Sequence, residues 1–312
     1  MRRIAAAICL PILLGMTSFA QANGALAEFP AGGVVFKPTK DISIAREDLE
    51  IGWDRIRVRY LFRSTGSAPI EATIGFPMAK VPQDDSPDGF QNDSRNYMDF
   101  SVTVNGEPLE AQLHEFAWLG ETNITGKLRE MGVPVFAATP DLFVQLANLP
   151  EATVAALKAK NLALEDGPWL IPQWLYQSVY EWKQRFEPGM TEVEVSYAPR
   201  FGASNEYSPY YPGGEFAADY CIDEAFEQKL AGHGSPYGAG APFTVGYILT
   251  TARNWNGPIG EFNLKIANRD SLATFCVPDG LAPGDGADSW HARDFVPQSD
   301  LKVLFFYHGS GL

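Results

Sequence analysis

The chain is short of cysteine, histidine and positive charge, and each shortage removes a class of function. Three cysteines and four histidines in 312 residues are too few for a disulfide-dense scaffold or a sequence-local zinc motif. The histidines, His114, His233, His291 and His308, are dispersed, and no His-Glu-x-x-His occurs. Lys and Arg number 24 against 38 Asp and Glu, for a net formal charge of −14, and no basic cluster is longer than a pair. Such an acidic surface repels phosphates, which argues against nucleic acid and anionic lipid as partners. After residue 22 no apolar run approaches the roughly 20 residues that span a bilayer, so the mature chain is expected to have no transmembrane segment. Gly-x-Ser-x-Gly is absent, the nearest string being Gly232-His233-Gly234-Ser235-Pro236, and no phosphate-binding Gly-x-x-x-x-Gly-Lys-Ser/Thr is present. Serine-hydrolase and nucleotide-binding chemistry are therefore unsupported.

What is present begins with a leader. Met1-Arg2-Arg3 is a cationic start, Ile4 to Met16 an apolar run, and Ala20-Gln21-Ala22 a small-x-small cleavage site. Residues 1–22 read as a signal peptide cleaved near Ala22, which predicts a periplasmic or secreted product. Cys9 falls inside the apolar run and reads as a leader residue. Loss of Arg2 and Arg3 takes the net charge from −14 to −16. Cys221 and Cys276 remain, and in an oxidising compartment the simplest expectation is that they pair, the alternative being two buried thiols. Closing a loop of about 55 residues would stabilise the fold by roughly 4 kcal/mol in the chain-entropy picture.

Alternating and β-branched runs predict strands over 41–51, 55–62, 70–76, 100–104 and 109–116, with period-2 patterning clearest in Ile56, Val58, Tyr60 and Phe62. Asn105-Gly106 between two of them supplies the positive-φ pair that a type I′ hairpin turn needs. Pro69 and Pro77 punctuate neighbouring strands. From Gly120 to about Pro172 the composition shifts to Ala, Leu, Lys and Glu, with helices expected over 142–148 and 152–160. Strand character returns over 176–186 and 191–197, joined across Glu187-Pro188-Gly189-Met190. The large side chains of Trp182, Phe186, Val193, Val195 and Tyr197 then fall on alternate positions, as for one buried sheet face. A helix is expected near 214–230, and strands over 243–251, 261–267, 272–277 and 301–307. The predicted fold class is mainly β: an antiparallel β-sandwich with a short helical insertion and one further helix. Its parts are a signal peptide (1–22), an N-terminal β-sandwich part (23–119), the helical insertion (120–175) and a C-terminal β part (176–312). This length and a 46% apolar content suit either two packed units or one enlarged sandwich.

Six segments together resemble a known family. Gly32-Gly33-Val34, Arg46-Glu47-Asp48-Leu49, Val58-Arg59-Tyr60-Leu61-Phe62, Gly75-Phe76-Pro77, Tyr220-Cys221 and the run Asn254-Trp255-Asn256-Gly257-Pro258-Ile259-Gly260-Glu261-Phe262 look like the exported bacterial family known as domain of unknown function 4424. The Trp-x-Gly-Pro-Ile-Gly-x-Phe run is its most specific piece. The resemblance implies a bacterial, exported, periplasmic protein and brings no catalytic residues with it.

Several surfaces are candidates for function. Asp84, Asp85, Asp88 and Asp93 crowd one Gly/Pro loop and Asp279, Asp285 and Asp288 another, so calcium is the one cofactor with any support, because it takes six to eight oxygens. The alternative is that acidic loops simply belong to an acidic protein. Tyr207, Tyr210 and Tyr211 lie between Ser, Asn, Gly and Pro residues, with Phe201, Phe216 and Tyr220 nearby. Rigid rings with polar tips suit a glycan or peptide surface, or they plug the end of the sandwich. Trp255 either caps a hydrophobic face or touches a ligand. Glu181 and Glu187 are one possible glycosidase carboxylate pair. The leading reading is a non-enzymatic binding module of the cell envelope that uses end-loop aromatics on an envelope protein, peptide or glycan. The alternatives are an exported carboxylate-dependent hydrolase acting on envelope glycans and a structural envelope protein.

Overall fold

The structure, a computed structural model, describes residues 25–28, 35–78, 80, 96, 98–135, 146–167, 169–199, 215–232, 242–267, 271–286 and 288–307. With strands and helices numbered along the chain, the largest element is an eight-stranded sheet. Its order is β17 (Ala282–Pro283), β18 (Ser289–Phe295), β15 (Ile259–Ala267), β3 (Ile42–Gly52), β4 (Ile56–Ser64), β13 (Gly189–Tyr197), β6 (Ser101–Val104) and β7 (Glu107–Leu109). A six-stranded sheet runs β2 (Val35–Phe36), β1 (Ala25–Glu28), β5 (Ile70–Pro77), β12 (Leu175–Phe186), β8 (Gln112–Leu119) and β9 (Thr122–Asn123). A three-stranded sheet runs β14 (Pro242–Tyr247), β19 (Leu301–Tyr307) and β16 (Ser271–Phe275). The chain is mainly β, and among the described residues the ladders are antiparallel except for β3 with β15, which is parallel.

Alternation explains the core. In β4, Ile56, Val58, Tyr60 and Phe62 are buried and Arg57, Arg59 and Arg63 are exposed, so one face of the strand is apolar and the other is charged. Aromatic contacts close the sandwich between the two large sheets, Phe62 lying 5.5 Å from Phe186 and Tyr197 5.8 Å from Phe76 between ring centres. The three-stranded sheet covers the rest of the inner face, with Phe275 4.8 Å from Trp290. In β19, Leu301, Val303 and Phe305 join this main core, whereas Leu304 and Phe306 join a smaller cluster with Tyr220, Phe226 and Leu230. In place of the single helix expected near 214–230, a pair, α3 (Glu215–Asp219) and α4 (Glu224–Gly232), broken where Cys221 takes φ 50°, forms an outer layer on the three-stranded sheet. Asp223 starts α4 by accepting the Phe226 N–H at 2.7 Å. Cys221, between the two helices, is disulfide-bonded to Cys276, just past β16.

Three further sequence expectations change. First, 176–186 and 191–197 do not share a sheet face: β12 pairs with β5 and β8, and β13 pairs with β4 and β6. The Pro188-Gly189 turn, with Gly189 at φ 105°, carries the chain across the sandwich, so Trp182 and Phe186 face Val193, Val195 and Tyr197 across the core. Alternation reads the same whether two buried faces are one or opposed. Second, the insertion contains α2 (Glu151–Ala159) where a helix over 152–160 is expected, but also an unexpected α1 (Thr125–Glu130) and a hairpin of β10 (Ala163–Asp166) and β11 (Trp169–Pro172), while most of the helix expected over 142–148 lies outside the described residues. Leu128, Leu157, Leu162 and Trp174 anchor the insertion in the main core, and the Trp174 Nε1–H donates to the Val135 carbonyl at 2.9 Å. Third, the expected strand over 109–116 is divided: Asn105 (φ 50°) and Gly106 (φ 85°) make the expected turn into β7, after which β8 begins at Gln112 in the other sheet. No helix among the described residues is long and apolar enough to cross a membrane.

Candidate functional site

The charged face of β4 is the middle of a wider surface. Outward residues of five neighbouring strands fall into register as three rows. One reads Arg293, Glu261, Arg46, Leu61, Glu192; the next His291, Asn263, Asp48, Arg59, Glu194; the third Ser289, Lys265, Glu50, Arg57, Ser196. Along the rows, at a strand spacing of about 4.8 Å, opposite charges are neighbours in Arg293, Glu261 and Arg46, in Asp48, Arg59 and Glu194, and in Lys265, Glu50 and Arg57, whereas down β3, β4 and β13 like charges follow one another. Over this face lies a groove of about 880 Å³, rimmed by the loop and short strand that carry Gly280, Ala282, Gly284 and Asp285.

Several of the charges are already engaged. Arg46 Nε and Asn263 Nδ2 both donate to Asp48 Oδ1 at 2.8 Å, Lys265 Nζ donates to Glu50 Oε2 at 2.9 Å, and Arg59 Nη2 donates to Glu192 Oε2 at 2.7 Å. Arg57 lies 3.7 Å from Glu50. The Asp48 carboxylate raises the pKa of Arg46 further. Arg293 and His291, at the β18 end of their rows, have no hydrogen-bond or ion-pair partner among the described residues. The lining carries Arg57, Arg59, Lys265 and Arg293 against Asp48, Glu50, Glu194, Glu261 and Asp285, so it is close to neutral on a strongly acidic chain. Chemically, it can receive a ligand that carries both signs, with anionic groups directed to Arg293 and His291.

Behind the same strands is a polar knot. Glu47, between Arg46 and Asp48, points inward and is fully buried. The Tyr247 hydroxyl donates to its Oε1 at 3.3 Å, and the Tyr60 and Tyr247 hydroxyls are 2.8 Å apart. Glu47 Oε2 and the Tyr197 hydroxyl are buried without a hydrogen-bond partner among the described residues. Burial pushes the Glu47 carboxyl up to about 8, the Tyr247 hydrogen bond opposing and the Asp48 charge reinforcing the shift. Burial also raises Tyr197 and Tyr247 above the usual tyrosine range.

The sequence candidates fare differently. Trp255 is 4% exposed and packs 4.6 Å from Phe62 and 6.2 Å from Phe186, which makes it a core residue and not a ligand-facing one. Glu181 and Glu187 lie six positions apart along β12 and its end, about 20 Å at the rise of an extended chain, too far for a glycosidase pair. Glu181 instead meets His114 at 2.6 Å, and Glu187 meets Arg185 at 2.6 Å. Asp279, Asp285 and Asp288 are exposed, and no group of three or more metal-ligating side chains converges among the described residues. Tyr207, Tyr210, Tyr211, Asp84, Asp85, Asp88, Asp93 and His233 lie outside the described residues. Sequence reasoning missed the groove and the knot. The one signal for either was the run of alternating arginines in β4, whose partners come from strands far away in the chain.

Fold and site together define a layered β-sandwich with a mixed-charge groove on its outer sheet face. The chain belongs to the family described as Domain of unknown function (DUF4424), whose model matches residues 22–304. No curated protein matches it. A crystal structure of a "putative nutrient binding protein" from Legionella pneumophila subsp. pneumophila str. Philadelphia 1 is similar at 17% identity and a TM-score of 0.45, covering 92% of this chain and 72% of its own.

Proposed function

We propose that the chain is an exported, non-enzymatic binding module of the bacterial cell envelope, released into the periplasm after cleavage near Ala22, and that it takes its ligand in the groove over β18, β15, β3, β4 and β13. The observation that carries this reading is the groove itself. In a chain of net charge −14, four cationic side chains are gathered into one concave, nearly neutral lattice, and Arg293 and His291 at its rim are uncommitted. The ligand class that fits is an extended peptide segment with acidic and basic side chains, such as a loop or tail of an envelope protein. Opposite charges that neighbour one another across the strands offer complementary partners to the acidic and basic side chains of a segment laid along a row. Tyr207, Tyr210 and Tyr211 are proposed as a second contact on the same partner.

Native mass spectrometry of residues 23–312 isolated from periplasm tests this. A retained peptide mass is expected on the unaltered chain, and its loss is expected in the double variant Arg293→Ala, His291→Ala. A bare unaltered chain, or a mass that the double variant retains in full, would overturn the groove as the site.

A further inference from the structure

Glu47 is a buried acid met by the Tyr247 hydroxyl and by no cation among the described residues. Among the described residues no Lys, Arg, His or Asp is buried, and no cation acts on the Glu47 carboxyl. The groups that face it are its register partner Tyr60 from β4 and Tyr247 from β14, with Tyr197 from β13 beside Tyr247. Its register partner on β15 is the uncharged Phe262. Its neighbours on β3, Arg46 and Asp48, turn to the groove on the other side of the sheet.

The phase of β3 explains why an acid sits there. Ile42 and Ile44 point inward, the pairing with β4 slips between Ile44 and Arg46, and the inward set resumes at Glu47, Leu49 and Ile51. The bulge at Ala45 is what turns Glu47 to the core. It is accommodated on the next strand by Gly260, where any Cβ would come within 2.7 Å of the Ala45 carbonyl oxygen.

The seam is also a junction. Tyr60, Tyr197 and Glu47 belong to the eight-stranded sheet, Tyr247 belongs to the three-stranded sheet, and Tyr197 touches Phe76 of the six-stranded sheet. The hydrogen bonds from Tyr60 to Tyr247 and from Tyr247 to Glu47 tie the three-stranded sheet to the eight-stranded one.

We propose that Glu47 is a proton-operated latch that holds the three-stranded sheet against the eight-stranded one. With its proton, the carboxyl is a neutral partner for Tyr247 and the seam stays closed. Without it, an unpaired charge lies in an apolar seam, and the sheet of β14, β19 and β16 separates from β3 and β4 to let water reach that charge. A solvated Glu titrates near 4.5 and the buried one near 8, so the closed form binds a proton that the open form does not. Acid therefore favours closure: the stabilisation is complete below about 4.5, declines as pH rises and is lost above about 8.

Hydrogen–deuterium exchange on the full mature chain from about pH 5.5 to 9, corrected for intrinsic exchange rates, tests the latch. In the unaltered protein the opening of Pro242–Tyr247 and Leu301–Tyr307 is expected to grow by up to about tenfold per pH unit and to level off near pH 8. Glu47→Gln keeps the shape without the proton, and the dependence is expected to vanish. Should Glu47→Gln fail to fold, Tyr247→Phe removes the hydrogen bond that lowers the Glu47 pKa, and the levelling point is expected to move above 8. The same slope with and without Glu47, or an unmoved levelling point in Tyr247→Phe, would overturn the latch. Equal loss of protection across β5 and β12 would do so too, by assigning the proton to the whole fold and not to the seam.

Discussion

At the scale of the residue, the most consequential positions are those where a side chain, or the lack of one, has a single workable geometry. Trp255 fills the space between Phe62 and Phe186, so Trp255→Ala is expected to destabilise the fold by about 3–5 kcal/mol, read as a lowered denaturant midpoint. Gly260→Ala puts a methyl group 2.7 Å from the Ala45 oxygen. Backbone must shift to admit it, and a loss of about 1–3 kcal/mol is expected in the same measurement. By contrast, Arg293 and His291 are exposed and without partners among the described residues, so their replacement by Ala should change stability by no more than about 0.5 kcal/mol. That contrast separates a binding defect from a folding defect. The sequence shows the Gly257-Pro258 turn and the large indole, but Gly260 reads there as another turn residue. Its true constraint is the carbonyl of a bulge more than 200 positions earlier, and a bulge leaves no mark in composition. For the same reason Glu47 looks like one more surface acid in Arg46-Glu47-Asp48.

At the scale of the element, local chemistry was legible and partnership was not. Asn105-Gly106 and Pro188-Gly189 each announced a turn, and both occur. Nothing in Pro188-Gly189 says that the turn crosses from one sheet to another, because that depends on which strands are already waiting on either side. β18 was missed because Ser289 to Phe295 alternates weakly, with Trp290, Ala292 and Phe295 as its buried or half-buried side. The helical pair α3 and α4 is held by a small apolar cluster, by the Lys302 to Asp219 ion pair at 2.8 Å and by the disulfide. Replacing both Cys221 and Cys276 with Ser is expected to cost roughly 2–5 kcal/mol, with the largest gain in amide exchange confined to residues 215–232.

At the scale of the whole molecule, the groove exists only because the N-terminal and C-terminal parts of the chain share one sheet: β3 and β4 supply Asp48, Glu50, Arg57 and Arg59, and β15 and β18 supply Asn263, Lys265, His291 and Arg293. Its proposed ligand is held by charge at an open surface, so affinity should fall by about tenfold or more as ionic strength rises from 0.05 to 0.5 M. Titration calorimetry with the peptide recovered from periplasm would measure this, and a salt-independent affinity would contradict an electrostatic groove. Charge balance and the mainly β character were readable along the sequence, but this lattice was not, since each row is assembled from strands whose order in space is 18, 15, 3, 4, 13.

The parallel ladder between β3 and β15 also sets a timetable. β3 finds β4 across a tight turn as soon as both are made, but its other edge waits for Glu261 to Ala267 to pair with Arg46 to Gly52. A ribosome delivers the N-terminus first, so until β15 follows the edge of β3 stays open, a state prone to sticking to its neighbours. The chain must be nearly complete before it can fold, and a message truncated before Ile259 should yield an aggregate or a degraded fragment in place of a smaller folded protein.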